Sequence, residues 1–149
     1  MSVWHLLFIG GFFLCFLFLL FWNMKSPRTE VVILGDTTIE VFIAQTLKET
    51  YTGLGGRDDM DGKDGMLFLF DVPDRHGIVM RDMRFPIDIV WLHEGRVVDI
   101  APAVPTEPGV PHHSLSVYRP RTDATMVLEL LAGYSAQHGL EIGDTLRLP

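Results

Sequence analysis

The chain of 149 residues carries 12 basic and 19 acidic side chains, a formal net charge of −7. This acidic balance argues against nucleic acid as a partner, because nucleic-acid binding needs a basic surface, and against electrostatic docking on anionic lipid. The single cysteine is Cys15, so the chain beyond it has no disulfide and no thiol nucleophile. The length predicts one domain with a short appendage.

The appendage is an uncharged apolar segment at the N-terminus. Residues 3–22 contain no Asp, Glu, Lys or Arg, and a helix of that length rises about 30 Å, enough to cross a hydrocarbon core. Trp4 and Trp22 stand at its ends, where amphipathic rings favour the membrane interface. We therefore predict three parts, namely a transmembrane anchor over 1–24, a linker over 25–30 and a folded domain over 31–149.

A cleaved signal peptide is the alternative interpretation of this segment. A signal peptide needs a basic start and a small-residue cleavage site, whereas Met1-Ser2 has no basic side chain and the residues around Trp22 are large. Lys25 and Arg28 follow the segment, and the positive-inside rule applied to them alone would leave the domain in the cytoplasm.

The first elements predicted in the folded domain are a β-hairpin and a short helix. Val31 to Leu34 and Thr37 to Ala44 lie on either side of a Gly-containing turn, and in the second segment apolar residues alternate with Thr38 and Glu40. Thr46 and Glu49 match a capping box at a helix start. Leu47, Tyr51 and Leu54 share one face of a helix of about two turns, which Gly55-Gly56 ends.

The middle of the chain predicts further short strands. The acidic turn from Asp58 to Gly65 lacks the ordered ligand spacing of a calcium loop, so a solvated turn is favoured. The strand candidates beyond it are, in chain order, Met66 to Phe70, His76 to Arg81, and a central hairpin of Ile87 to Leu92 with Val97 to Ile100.

The last part of the chain begins with a proline-rich loop, Ala101 to His113, in which four prolines disfavour a regular ladder. The elements predicted after it are strands at Leu115 to Arg119, Thr125 to Leu131 and Thr145 to Leu148, with one helical turn between Gly133 and His138. The whole pattern predicts a mainly β domain, a β-sandwich or jelly-roll-like double sheet with one short helix, preceded by a single transmembrane helix.

Several segments together resemble the domain-of-unknown-function 192 family. They are Thr52-Gly-Leu-Gly-Gly-Arg57, Gly65-Met-Leu-Phe-Leu-Phe70, Val79-Met-Arg-Asp-Met83, Pro86-Ile-Asp-Ile-Val-Trp-Leu92 and Val127-Leu-Glu-Leu-Leu-Ala-Gly133 with Gly143-Asp144. The resemblance implies a compact β-sandwich, commonly exported or attached to the bacterial envelope, and brings no established activity. It therefore favours an extracytoplasmic domain. Two departures, Gly55 in place of methionine and Val79 in place of an aromatic residue, would alter a site lined by those positions.

A binding module is the first functional hypothesis. Charged side chains embedded in apolar segments are rarely buried without partners, and two guanidinium groups among them could hold a small anionic ligand in bidentate fashion. The alternative is a structural network in which the arginines neutralise the buried acids. The candidate ligand-binding residues are Arg57, Met80, Arg81, Asp82, Met83, Asp88 and Glu129.

An enzyme and a metal site are the other two hypotheses. Asp88 and Glu129 could divide acid and base roles in a hydrolase, although no nucleophile elbow, His-Glu-x-x-His helix or phosphate loop occurs. A soft-metal site for copper is conceivable, but methionines more often fill irregular cores. Its ligands would come from Met60, Met66, Met80, Met83 and His76.

The interpretation best supported by the sequence is a membrane-anchored, non-catalytic binding or accessory module at the cell envelope. Its predicted partners are the membrane, through residues 3–22, and either a small anionic ligand or an envelope protein. No cofactor, metal or catalytic residue is assigned.

Overall fold

The computed structural model describes residues 28–149. Strand β1 (Thr29–Leu34) pairs antiparallel with β2 (Thr37–Ala44), which confirms the first predicted hairpin. Helix α1 (Leu47–Thr52) follows. The Thr46 hydroxyl accepts a hydrogen bond from the Glu49 backbone N–H at 3.2 Å, and the Glu49 carboxylate accepts one from the Thr46 N–H at 2.9 Å, so the predicted capping box is present.

The remaining elements are short and mostly strands. They are β3 (Gly65–Asp74), β4 (Ile87–His93), β5 (Arg96–Val104), a 3₁₀ helix (His112–Ser114), β6 (Ala124–Leu131), α2 (Tyr134–Gln137) and β7 (Leu146–Arg147). The central hairpin, β4 with β5, and the helical turn α2 lie where the sequence predicts them.

The described strands form one sheet, not the two predicted from the sequence. Their order is β5-β4-β6-β3-β2-β1-β7, and every neighbouring pair is antiparallel except β2 with β3. The sheet curls until its outer strands, β5 and β7, meet. Two hydrogen bonds join them there: the Leu146 N–H donates to the Gly95 carbonyl at 2.7 Å, and the Val97 N–H donates to the Asp144 carbonyl at 2.8 Å. This closure leaves a concave and a convex face.

Both faces carry an apolar cluster. The concave face gathers side chains from β1 through β6, among them Val32, Val41, Leu67, Val90, Leu128 and Val97. The convex face carries a second cluster, which includes Phe42, Met66, Phe68, Ile89 and Trp91 from the strands with Leu54 and Met80 from the covering segments. The segments around α1 and between β3 and β4 therefore form the second layer that the sequence analysis assigned to a second sheet.

Two predicted strands are absent from the part of the chain that the structure describes. His76 to Arg81 and Leu115 to Arg119 share one bridge only, in which Ile78 and Tyr118 exchange backbone hydrogen bonds of 2.9 and 2.8 Å. Conversely, β5 runs on through Pro102 to Val104. Among residues 28–149, no helix is long and apolar enough to cross a membrane, and the predicted anchor at 3–22 lies outside the described residues.

Candidate functional site

Asp88 is a fully buried carboxylate bound by backbone amides. One oxygen accepts hydrogen bonds from the N–H groups of Ala103 at 2.8 Å and Gly133 at 3.0 Å, and the other accepts from Ser135 at 2.8 Å. Burial opposes ionisation, but these hydrogen bonds outweigh it and hold the pKa of Asp88 below its ordinary value. Asp88 thus joins β4 to the end of β5 and the start of α2, which is a structural role.

Glu129 is the opposite case, a buried carboxyl group without a partner. It lies at the centre of β6, directly across from Met66 on β3 and Ile89 on β4, and only 5% of it is exposed. No side chain or backbone group among residues 28–149 is hydrogen-bonded to it, and burial raises its pKa to about 8. Glu129 is therefore largely protonated at neutral pH and can both donate and accept a hydrogen bond.

Glu129 lines a cleft of about 370 Å³ on the convex face, here called the Glu129 cleft. Its walls are mainly apolar and aromatic, and include Leu54, Phe68, Phe70, Ile78, Met83 and Tyr51. Among the described residues that line it, Glu129 is the one acid and Arg81 the one side chain with a permanent positive charge. A concave apolar site with a few convergent polar groups is the usual form of a small-molecule site.

Arg81 stands between the Glu129 cleft and a neighbouring one. Its guanidinium carbon lies 3.9 Å from the centre of the Tyr51 ring, and Nη1 donates to the Tyr51 carbonyl at 2.8 Å. The buried Nε has no hydrogen-bond partner, and Arg81 has no ion pair within residues 28–149. The side chain is thus fixed by stacking while part of its donor capacity is unused.

The neighbouring cleft, of about 550 Å³, is here called the Asp82 cleft. Its lining includes Tyr51, Arg81, Met83, Asp82, Glu107 and His112. Its two acids already have partners, since His112 Nε2 lies 3.1 Å from an Asp82 carboxylate oxygen and the Glu107 carboxylate accepts a hydrogen bond from the Ser116 hydroxyl at 2.9 Å. The acids of the Asp82 cleft are therefore already engaged by neighbouring side chains.

Of the other predicted site residues, Met83 lines the Glu129 cleft and Asp82 lines the Asp82 cleft, whereas Arg57 and Met80 serve other contacts. Arg57 pairs with Asp61 and lies 4.4 Å from the centre of the Phe42 ring, so neither arginine neutralises Asp88 or Glu129. Met80 is only 1% exposed and belongs to the convex-face core. The predicted charge network is thus absent among the described residues.

The geometry also bears on the enzyme and copper hypotheses. Glu129 lies on the convex face with Met66 and Ile89. Asp88 precedes Ile89 on β4, so its side chain projects from the concave face. The two carboxyl groups therefore cannot act on one bound molecule as an acid–base pair. Met60 and Met66 are buried in the convex-face core, and the described residues contain no cluster of three His, Cys, Asp or Glu side chains suited to a metal.

Sequence reasoning did not identify Tyr51 as a site residue, and it named His76 only as a possible copper ligand. Tyr51 was assigned to a buried helix face, yet it is 66% exposed and stacks on Arg81. The His76 ring stacks on Phe70 with centroids 3.7 Å apart, and its Nε2 lies 2.9 Å from the Val72 carbonyl oxygen. The Tyr51–Arg81 contact joins segments 30 residues apart, and the His76 contacts reach back to Phe70 and Val72 in β3.

These features define a β-rich domain with a ligand-sized cleft on the convex face of one curled sheet. A profile of the family DUF192, described as "Uncharacterized ACR", matches residues 30–148. The chain belongs to the DUF192 family.

Two solved structures are similar to this one. A protein of unknown function from Novosphingobium aromaticivorans is 25% identical, with a TM-score of 0.71 over 84% of this chain and 89% of that one. A protein from Sinorhizobium meliloti, described as a proposed transcription regulator, is 26% identical, with a TM-score of 0.73 over 84% of this chain and 97% of that one. A comparison with curated proteins gives no match.

Proposed function

We propose that the chain is a membrane-tethered, non-catalytic binding module of the cell envelope, and that the Glu129 cleft holds a small molecule with an anionic group and an apolar body. One observation carries the proposal. Arg81 and Glu129 both line this cleft, and both have hydrogen-bonding capacity that no described residue uses. Leaving such groups buried costs stability, which a ligand would offset.

The ligand's chemistry follows from the two polar groups and the walls. A guanidinium is a planar, permanently charged donor that suits a carboxylate or phosphate. A protonated Glu129 adds a neutral donor and does not repel an anion, unlike an ionised carboxylate. The aromatic and aliphatic walls at Phe68, Phe70 and Leu54 suit the apolar remainder of the molecule.

Binding is favoured over catalysis because no second acid among the described residues lines the cleft, and His76, which does line it, is held by other contacts. The one acid that lines it is Glu129, and its former candidate partner Asp88 lies on the other face with its oxygens bound to amides. His76 is stacked on Phe70 and contacts a backbone carbonyl. The lining therefore supports recognition without an evident nucleophile or acid–base pair.

The envelope location rests on the sequence. The uncharged run at residues 3–22 supports a single-pass anchor, and the habit of export implied by the family supports an extracytoplasmic domain. The description of the Sinorhizobium protein as a transcription regulator does not suit this chain, since a net charge of −7 does not favour binding to nucleic acid.

The test is thermal unfolding of the full chain in lipid nanodiscs with three probes of equal length, namely hexanoate, hexanol and hexylamine. We expect hexanoate to raise the Tm most, because only it engages both Arg81 and the protonated Glu129. Arg81→Ala should abolish the difference between hexanoate and hexanol, and Arg147→Lys, an exposed site on β7, should leave it unchanged. Equal shifts with all three probes, or a preference for hexylamine, would contradict the proposal.

A further inference from the structure

Helix α1 presents an apolar face to solvent. Leu47 and Tyr51 lie one turn apart on the same side of the helix and are 92% and 66% exposed. The pattern of the sequence predicts that this face is buried with Leu54, but only Leu54 reaches the core, at 1% exposure. Lys48, which lies between Leu47 and Tyr51 in the chain, is also exposed.

The chain enters the domain beside this helix. The carbonyl of Arg28, the first described residue, accepts a hydrogen bond from the Ile43 N–H at 2.7 Å, and Ile43 stands near the end of β2, four residues before α1 begins. Residues 23–27 connect this point to the apolar run, and five residues reach at most about 20 Å. The α1 end of the domain is therefore the end held nearest to residues 3–22.

The opposite end of the sheet lies farther from the entry point. The turn at Gly35 and Asp36 joins β1 to β2 at the other end of the eight-residue strand β2, about 25 Å away. Asp36 is exposed and charged. The two ends thus differ in chemistry as well as in distance from the anchor.

We infer that Leu47 and Tyr51 dock α1 on the interface of the bilayer that holds residues 3–22. A leucine and a tyrosine ring suit the boundary between headgroups and acyl chains. Because the chain carries a net charge of −7, the contact relies on apolar burial, and a zwitterionic phospholipid surface suffices as the partner. The inference rests on the anchor of the proposed function and is independent of what the Glu129 cleft binds.

The docked orientation also gives the Glu129 cleft a particular entrance. Leu47 and Tyr51 both line that cleft, so its rim would face the headgroup region. A ligand with an anionic head and an apolar body, as proposed above, partitions into that same region. The membrane surface would then concentrate the ligand beside its site.

The test uses spin labels on the full chain in vesicles of phosphatidylcholine. Cys15→Ser removes the native thiol, and Leu47→Cys or Asp36→Cys then accepts one label; both positions are exposed, so folding should be unaffected. We expect the label at position 47 to be at least several-fold more accessible to oxygen than to a water-soluble nickel complex. The label at position 36 should show the reverse.

Equal water accessibility at both positions would overturn the inference, as would burial of both labels or loss of the protein from the vesicles. The hexanoate measurement separates these failures from failure of the cleft. A preference for hexanoate with a water-exposed label at 47 would leave the binding role standing and remove the docking. A docked label at position 47 without a preference for hexanoate would support the docking of α1 and contradict the proposed binding role.

Discussion

Asp88 and Glu129 come from adjacent strands but project from opposite faces of the same sheet. Glu129 pairs with Ile89 across the β4–β6 ladder, whereas Asp88 pairs with Leu130, and side chains alternate between faces along each strand. Their surroundings separate their pKa values, with Asp88 held low by three backbone amides and Glu129 raised by burial. The two acids therefore differ in their contacts: Asp88 fixes three backbone segments, whereas Glu129 has no hydrogen-bond partner among residues 28–149.

Replacing Glu129 with glutamine should change the pH dependence of stability. A pKa raised from 4.5 to about 8 means that the folded state retains a proton which the unfolded state loses, so wild-type stability falls as the pH rises from about 5 to 8. Glu129→Gln removes this loss, and its free energy of unfolding should exceed that of the wild type by a few kcal/mol at pH 8. Urea unfolding at pH 5 and pH 8 measures the difference.

The control for that measurement is Glu94→Gln, at an exposed position in the β4–β5 turn. In this variant the free energy of unfolding should fall between pH 5 and 8 as it does in the wild type. A wild type whose stability is constant between pH 5 and 8 would show that Glu129 is not a buried neutral acid.

Truncating Asp88 should destabilise the domain strongly. Asp88→Ala leaves the N–H groups of Ala103, Gly133 and Ser135 without their acceptor inside the protein, and we expect a loss of about 3 kcal/mol in the free energy of unfolding. Because the pKa of Asp88 is lowered, its contribution is present above pH 4 and is lost as the pH falls through the lowered value. Denaturant unfolding at pH 7 tests the size, with Asp36→Ala as the exposed control.

The capping box predicts a smaller and local effect. Thr46→Ala removes the hydroxyl that accepts from the Glu49 N–H, and we expect a cost of about 1 kcal/mol. Hydrogen exchange should show faster exchange of the α1 amides, while the amides of β4 and β6 remain protected. Thr122→Ala, in an exposed loop, is the matched control, and equal exchange in the two variants would argue against the cap.

Gly55 gives a prediction about the family difference at this position. A Cβ there would stand 2.8 Å from the Arg81 carbonyl oxygen and 3.0 Å from that of Thr52. Gly55→Met should therefore cost about 1–3 kcal/mol, and it should weaken the hexanoate effect because Gly55 lines the Glu129 cleft. Gly55→Ala separates the stability cost from the loss of binding, since its Cβ makes the same clash with the backbone but its small side chain fills little of the cleft. Unchanged unfolding and binding in both variants would show that the Arg81 segment moves freely.

Local patterns explain which parts of the fold the sequence predicts. The two hairpins and the capping box join residues close in the chain, and each is present. The single sheet is set by pairings that join distant segments, β2 with β3 and β6 with both β3 and β4. Alternation of apolar residues does not encode such partners, so one curled sheet and two stacked sheets give the same sequence pattern.

The sequence names several residues that line one cleft, but it does not predict how they are arranged. Arg81, Met83 and Glu129 do line one cleft, yet Arg57 takes the acid four residues along, Asp61, as its partner. The partners of Asp88 are backbone amides, which leave no mark in the sequence because every residue except proline can supply one. Charges in apolar segments thus identify buried groups without revealing what they contact.

The position of β6 determines when the sheet can form during synthesis. β6 (Ala124–Leu131) lies between β3 and β4, although both of those strands leave the ribosome earlier. The β1–β2 and β4–β5 hairpins can form from local contacts, but nothing joins them until residue 131 has been made. A chain stopped before residue 124 carries two hairpins with open strand edges, and the sheet is completed only after nearly all of the domain has been synthesised.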